Sequence, residues 1–304
     1  MSHSPTSPPS MQLEDKPGLS TRALSQTVHR AVVPAAGFGT RLRPLTNAIP
    51  KEMLPIGRKP VLQHVVDELL GAGLTDILFV ISPRKDMIRD YFGDGAKFGL
   101  NCHYVIQPEM KGLGDAVLRA EQWVSDEPFV VAFGDCLITG LVDSVAHSES
   151  PTQRLLSTHN MQGSFATVLT ERVAREDTYK YGIVSPQDMG QIGAAGFKLK
   201  DIVEKPDAAH APSNYAVAAR WALNPVIFSY LHKASPSRDG EVNLTDNVRI
   251  MISDGLAAWA VPLQPGEARV DIGGWKTYLM AAARGAVEDP EWGEAVRLNI
   301  NGNL

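Results

Sequence analysis

The chain has 304 residues, with 29 Lys and Arg against 34 Asp and Glu, a formal net charge of −5. Hydrophobic residues make up 44% and charged residues 21%, the balance of a globular chain long enough to bury a core without disulfides or a structural metal. This composition lacks the basic face of a general nucleic-acid binder, the two cysteines, Cys102 and Cys136, cannot build a disulfide framework or a four-ligand zinc site, and no apolar run approaches the roughly 18 residues of a membrane span.

Residues 1–28 begin MSHSPTSPPS and offer little to bury, so a disordered tail without chemistry is expected there. The N-terminus has no charged segment followed by an apolar one, so no secretory leader is expected and a reducing, cytoplasmic location is the default.

From residue 29 the character changes. Residues 31–36, AVVPAA, form an apolar run ending at Gly37-Phe38-Gly39, the pattern of a buried parallel strand entering a glycine-rich turn. Val61, Leu62, Val65, Val66, Leu69 and Leu70 make one stripe of a helix over 61–70, stopped by Gly71 and Gly73. Segments 76–82, 102–107 and 128–134 read as further buried strands, with an amphipathic helix from about 114 to 124 before the last. This alternation predicts βαβ units and a parallel sheet covered on both faces. In the second half, 164–170, 181–185, 197–204 and 215–223 are short and rich in aromatic and β-branched residues. They predict a mixed sheet with antiparallel strands, followed by helices near 225–233, 244–254 and 275–286.

Several clusters carry chemistry. In Gly37-Phe38-Gly39-Thr40-Arg41-Leu42-Arg43, glycines permit close backbone approach to a ligand, and the arginines suit phosphate oxygens. The dinucleotide fingerprint fails because Leu42 stands where its third glycine belongs, which disfavours a dinucleotide-binding oxidoreductase. No Gly-Lys-Ser/Thr follows, so the phosphate-loop fingerprint fails as well. Alone, the segment also fits a surface turn with solvated arginines. Pro50-Lys51-Glu52-Met53-Leu54-Pro55 is stiffened by its prolines and can hold Lys51 over a phosphate site, or serve as a plain connector. Asp135 ends a strand, where ligands bind in open α/β sheets, or where an Asp caps the next helix. The eight histidines show no metal spacing and no Gly-x-Ser-x-Gly elbow occurs.

Taken in order, Gly-x-Gly-Thr-Arg-x-x-Pro-x-Thr at 37–46, Pro-Lys-Glu-Met-Leu-Pro at 50–55 and Lys-Pro-Val at 59–61 resemble the sugar-phosphate nucleotidylyltransferase superfamily. The Lys-Glu-Met-Leu-Pro form is similar to that of the bacterial UTP–glucose-1-phosphate uridylyltransferases. The resemblance runs from about Ala31 to Gly285. It implies a Rossmann-like three-layer α/β/α nucleotidyltransferase fold with a mixed, mainly parallel central sheet and a smaller sugar-binding β elaboration. The implied layout is a catalytic domain over 29–290, with a nucleotide-binding half at about 29–140, a sugar-phosphate half at about 160–275, and a C-terminal tail at 291–304.

The resemblance also implies a site. Ala35, Ala36, Gly37, Gly39, Thr40, Glu52, Gln107 and Gly112 would bind the nucleotide, with Gln107 and Gly112 reading the base. Arg41, Lys51 and Lys205 would act catalytically on the phosphates. Gly182, Glu204, Lys205 and Asn214 would bind the sugar phosphate, and Asp135 and Asp271 would hold Mg²⁺. In Glu241-Val242-Asn243-Leu244-Thr245-Asp246, Thr245 or Asp246 is expected to cap a helix and Glu241 is a candidate site-lining residue. Asp115 stands where the uridylyltransferases usually carry His, and Trp275 where they usually carry Asn. The implied reaction converts UTP and glucose 1-phosphate to UDP-glucose and pyrophosphate. A thymidylyl or other sugar specificity and a catalytically silent, nucleotide-sugar-binding paralogue remain as alternatives. Small-molecule substrates, no nucleic acid or membrane partner, and a homo-oligomer, dimer or tetramer, complete the expectation.

Overall fold

In the computed structural model, residues 27–140, 149–237 and 240–303 are described. Residues 1–26 of the expected tail lie outside them, while Val28 is only 4% exposed and already belongs to the core.

The first half alternates as expected. Strand β1 (Arg30–Pro34) is followed by the short pair β2 (Pro55–Ile56) and β3 (Lys59–Pro60), then helix α1 (Val61–Gly71) and β4 (Asp76–Ile81). Helix α2 (Asp86–Phe92), β5 (Asn101–Ile106), α3 (Gly112–Leu118), α4 (Glu121–Val124) and β6 (Phe129–Ala132) complete it. The helix expected over 114–124 is two pieces, because the chain tightens at Ala120, whose N–H bonds Val117 O at 2.9 Å. The second half holds β7 (Cys136–Gly140), α5 (Pro151–Met161), β8 (Ala166–Arg172), β9 (Gly182–Pro186), β10 (Phe197–Glu204) and β11 (Tyr215–Leu223). It ends with α6 (Ile227–Leu231), α7 (Leu244–Ser253), β12 (Ala258–Pro262), β13 (Glu267–Asp271), α8 (Trp275–Val287) and α9 (Gly293–Asn303).

Nine strands form one sheet in the order β5-β4-β1-β6-β11-β8-β12-β10-β9. The first four are mutually parallel, β11 runs antiparallel to both neighbours, and β8 and β12 are again parallel. Strand β10 is antiparallel to both β12 and β9, so the sheet is mixed: the expected parallel pairing is confined to β5-β4-β1-β6 and to β8-β12, and the other pairings are antiparallel. The interior strand β6 is buried at every position and β4 at all but its first, because helices cover both faces. At the edge, β5 alternates between exposed and half-buried residues instead.

Helix α1 buries Leu62, Val65, Val66 and Leu69 against this sheet, while Val61 at its start packs in a separate cluster with Leu54, Leu137 and Ile272 and Leu70 is only half-buried. Burying such a side chain contributes roughly 1.5–3 kcal/mol. Helix α5 escaped the sequence reading although Ser150-Pro151-Thr152-Gln153 carries the signal. Ser150 Oγ accepts from Gln153 N–H while Gln153 Oε1 accepts from Ser150 N–H, a reciprocal cap with proline in the first turn.

Strand β11 bends the sheet. Its register against β8 slips between Val217 and Trp221, and Ala219 takes φ 59°, a left-handed conformation uncommon for a residue with a Cβ. Beyond the slip, Ala216 also pairs with Ile183 of β9, so the far edge of the sheet curls back onto β11. The ribbon of β7 and β13 stands apart from the sheet and pairs Asp271 with Cys136.

The segment 291–304, expected as a tail, is largely helix α9, packed on α8. Asp289 starts it: its Oδ1 accepts the backbone N–H groups of Glu291 and Trp292.

Candidate active site

The parallel strands β1, β4, β5 and β6 deliver their carboxyl ends to one edge, the place where open α/β sheets bind ligands. Two adjoining cavities open there. One, of about 260 Å³, is lined by Ala36, Gly37, Lys51, Glu52, Gln107 and Gly112 among others. The other, of about 390 Å³, is lined by Arg41, Gly182, Glu204, Lys205 and Asp271. Asp135, Phe133, Leu113 and Glu241 line both, so Asp135 stands at the junction.

The loop after β1 is less uniform than its glycines suggest. Gly39 takes φ 62°, but Gly37 does not have positive φ, and a Cβ on it would meet only Lys51, at 3.7 Å from Nζ. Thr46 Oγ1 donates to Gly39 O at 2.8 Å and Thr40 opens a short 3₁₀ turn that carries Arg41 into the larger cavity. Ala35 is 2% exposed and its carbonyl accepts from Lys85 Nζ at 2.6 Å.

Lys51 donates to Asp135 Oδ2. Burial disfavours the Lys51 ammonium, yet the charges of Asp135 and Glu52 outweigh it and hold its pKa above the ordinary value. Burial likewise opposes the Asp135 carboxylate, and the Lys51 charge wins, holding its pKa below the ordinary value. The pair is therefore ionised at neutral pH.

Behind it lies a residue that the sequence reading missed. Lys85, 5% exposed, follows β4 and donates to Glu52 Oε2 at 2.6 Å. Burial presses both members toward their neutral forms, raising the pKa of Glu52 and lowering that of Lys85 against their attraction. Lys85 thereby ties the Ala35 loop to the Lys51-Glu52 segment. The signal was present as a lone lysine just after a strand's carboxyl end.

Arg220 was also missed. It is fully buried on β11 and makes a two-pronged bond to Glu68 of α1, at 2.9 and 2.6 Å. Its Nη2 donates further to Cys136 O at 2.9 Å, beside Asp135. Arg269, on β13, lies 4.2 Å from the centre of the Tyr181 ring and pairs with Glu171. Both Arg269 and Tyr181 line the larger cavity.

In the larger cavity, Gly182 sits in close quarters. A Cβ there would come within 3.2 Å of Glu204 Oε2 and of Thr245 Oγ1. Lys205 has φ 46°, and its backbone N–H bonds Tyr181 O at 3.0 Å. A non-glycine residue held in this region costs of order 1–3 kcal/mol, a kind of strain that gathers at functional sites. Gly273 leaves room for both Arg41 and Asp271: a Cβ would lie 2.8 Å from Arg41 Nη2 and 2.9 Å from Asp271 Oδ1.

Some expected members stand elsewhere. Asn214 lines neither cavity, and its carbonyl is used by Val173 N–H at 3.0 Å. Thr245, expected as a helix cap, sits in the first turn of α7, makes no cap bond and lines the larger cavity instead. Cys136 is buried at 2% exposure, and burial pushes its thiol pKa up, as befits a small apolar filler.

A model of the nucleotidyl transferase family matches residues 30–286. The chain belongs to that family. Its relatives in the family include a UTP–glucose-1-phosphate uridylyltransferase of Streptococcus pyogenes, 37% identical over 241 residues, covering 73% of this chain and 79% of that one. One from Staphylococcus epidermidis is 31% identical over 294 residues, covering 90% and 97%. Among solved structures, a UDP-glucose pyrophosphorylase complexed with UDP-glucose aligns at TM-score 0.74 and 32% identity, covering 84% of this chain and 98% of that one. A UTP-bound UDP-glucose pyrophosphorylase from Acinetobacter baumannii aligns at TM-score 0.77 and 27% identity, covering 91% and 100%. These members of the nucleotidyl transferase family share the Rossmann-like α/β architecture described above. Among the described residues no helix is long and apolar enough to cross a membrane.

Proposed function

We propose that this nucleotidyl transferase joins UTP and α-D-glucose 1-phosphate into UDP-glucose and releases pyrophosphate. The observation that carries this is the pair of cavities meeting at Asp135, one lined by Lys51 and Gln107, the other by Glu204, Lys205 and Asp271. Each suits one of two phosphorylated substrates, and the shared wall suits the reacting phosphates.

The chemistry asks little proton transfer of the protein. A sugar phosphate oxygen is already negative at pH 7, because its second pKa is about 6. It forms a bond to the α-phosphorus of UTP while the bond from that phosphorus to the bridging oxygen breaks, and pyrophosphate leaves in line with no covalent enzyme intermediate. Positioning two polyanions and neutralising charge on the α-phosphorus are the real obstacles. Arg41 and Lys51 meet the nucleotide phosphates from the loops that line the two cavities. Lys205 turns the attacking phosphate toward the junction, while Glu204 and the Gly182 backbone accept from and donate to sugar hydroxyls. Asn214 is left without a role in this scheme.

Asp135 and Asp271 offer hard oxygen donors on neighbouring segments, since Asp271 pairs with Cys136 and Ile272 N–H bonds Asp135 O at 3.2 Å. Among the described residues no group of three or more His, Cys, Asp and Glu could hold a metal by itself. Two carboxylates completed by substrate phosphates and water fit Mg²⁺, which demands no all-protein cage. When bound, Mg²⁺ would neutralise phosphate charge between the substrates. A cytoplasmic homo-oligomer, dimer or tetramer, acting on small molecules and not on nucleic acid, is the setting this function implies.

The test is pyrophosphate release over a grid of nucleoside triphosphates and sugar 1-phosphates with Mg²⁺. UTP with glucose 1-phosphate should give the highest kcat/KM. A preference for dTTP, or release with no pair at all, would overturn the assignment.

A further inference from the structure

Gln107 follows β5 and is 3% exposed in the wall of the smaller cavity. Its amide is not free to turn. Nε2 donates to Asp115 Oδ2 at 2.8 Å and to Gly112 O at 3.2 Å. A carboxylate and a carbonyl only accept, so the flipped amide would set Oε1 against two acceptors and lose both bonds. Asp115 is itself fixed. It is 7% exposed, and its other oxygen, Oδ1, accepts from Arg119 Nη2 at 2.7 Å, one turn further along the chain.

Both N–H groups of the Gln107 amide are thus consumed, and among the described residues no hydrogen bond engages Oε1. We infer that Asp115, anchored by Arg119, is a specificity-determining positioning residue that makes Gln107 a fixed acceptor toward the nucleotide base. A fixed acceptor selects a base whose edge presents an N–H. The imide N3–H of uracil or thymine meets this demand, whereas N3 of cytosine carries a lone pair and would oppose Oε1. The clamp therefore favours imide pyrimidines and rejects cytosine without touching the base.

The inference rests on the uridylyltransferase reading above, so its test is made on binding, apart from turnover. The affinities of UTP, CTP and N3-methyl-UTP are measured by titration calorimetry for the wild type, Asp115→Asn and Arg119→Met. An Asn at 115 can donate to Oε1 and let the Gln107 amide turn. The expected result is a fall of about tenfold or more in the UTP-to-CTP affinity ratio for Asp115→Asn, the worth of one hydrogen bond. Arg119→Met, a change at a half-exposed side chain that leaves α3 intact, should lower the ratio in the same direction by a smaller factor. The wild type should bind N3-methyl-UTP at least about tenfold more weakly than UTP. Glucose 1-phosphate affinity should stay within about twofold in every variant, as expected of a residue acting only on the base. An unchanged UTP-to-CTP ratio in both variants, or equal wild-type affinity for UTP and N3-methyl-UTP, overturns the clamp. Absence of pyrophosphate release with intact UTP selectivity would instead overturn only the assigned activity.

Discussion

The ammonium of Lys51 is bonded to the carboxylate of Asp135, a residue 84 positions later in the chain. Lys51 belongs to the Pro-framed segment beside the smaller cavity, and Asp135 to the carboxyl end of β6. Their contact joins the two places where charge must be neutralised. Because each raises the other's preference for the ionised form, the pair is ionised at neutral pH, and in the proposed function it would exchange this internal partner for substrate phosphate and Mg²⁺.

Removing a carboxylate from that junction should cost catalysis far more than folding. Asp135→Asn and Asp271→Asn are each expected to lower kcat by roughly 10²-fold or more, the scale of one lost transition-state electrostatic contact. Steady-state kinetics on variants with unchanged circular dichroism checks this, and near-normal turnover in both would remove the two-aspartate site.

Lys205 should separate the substrates. Its side chain is about half exposed, and its ammonium stands 3.4 Å from Glu204 Oε1 at the sugar side. Lys205→Ala is expected to raise KM for glucose 1-phosphate at least about fivefold more than KM for UTP, as loss of one charge-assisted contact would. Equal changes in the two values would contradict its placement.

The Lys85–Glu52 pair makes a stability prediction. Lys85→Met leaves a buried carboxylate without its partner and should destabilise the protein by about 3 kcal/mol. Adding Glu52→Gln should recover part of that loss, because the stranded charge is gone. Urea unfolding of the single and double variants reads both. A single variant within about 0.5 kcal/mol of wild type would show the pair to be energetically idle.

A pH prediction comes from His159 of α5, 5% exposed and 3.0 Å from Thr167 Oγ1. Burial lowers its pKa from 6.5 to about 4. The folded state therefore binds its proton less readily than the unfolded state. The stability this residue contributes is complete above about pH 6.5 and is lost as the pH falls toward about 4. Between pH 7 and pH 5 the wild type should lose about 2 kcal/mol that a His159→Asn variant does not lose. Parallel pH dependence in the two proteins would show that His159 stays neutral for no cost.

Much of this was legible in the residues. Continuous apolar runs such as 76–82 and 128–134 pointed to strands covered on both faces, and the apolar stripe from Leu62 to Leu69 pointed to a helix packed on a core. The loop segments Gly37 to Arg41 and Lys51-Glu52 were ambiguous one by one and stood out only through the family resemblance that their order carries. What stayed hidden depended on long-range contact. Arg220 is one arginine in an apolar strand, and nothing local says that Glu68 of α1 waits 152 positions earlier. Lys85 looks solvated until β4 brings it beneath Ala35. The Asp115 clamp needs the helix turn that stacks Arg119 over it. Asn214, expected among the sugar-phosphate ligands, immediately precedes β11 and lines neither cavity. The strands β7 and β13 were missed because their ribbon leaves the sheet and carries no strong alternation.

The most direct measurement follows the phosphorus. Wild-type protein is given UTP, glucose 1-phosphate carrying ³²P, and Mg²⁺, and the products are separated. Direct attack by the sugar phosphate predicts that all the label leaving glucose 1-phosphate appears in UDP-glucose, with one unlabelled pyrophosphate released for each, and none of either when Mg²⁺ is chelated. Label in pyrophosphate or free phosphate, or UTP bound with no UDP-glucose formed, would contradict the account.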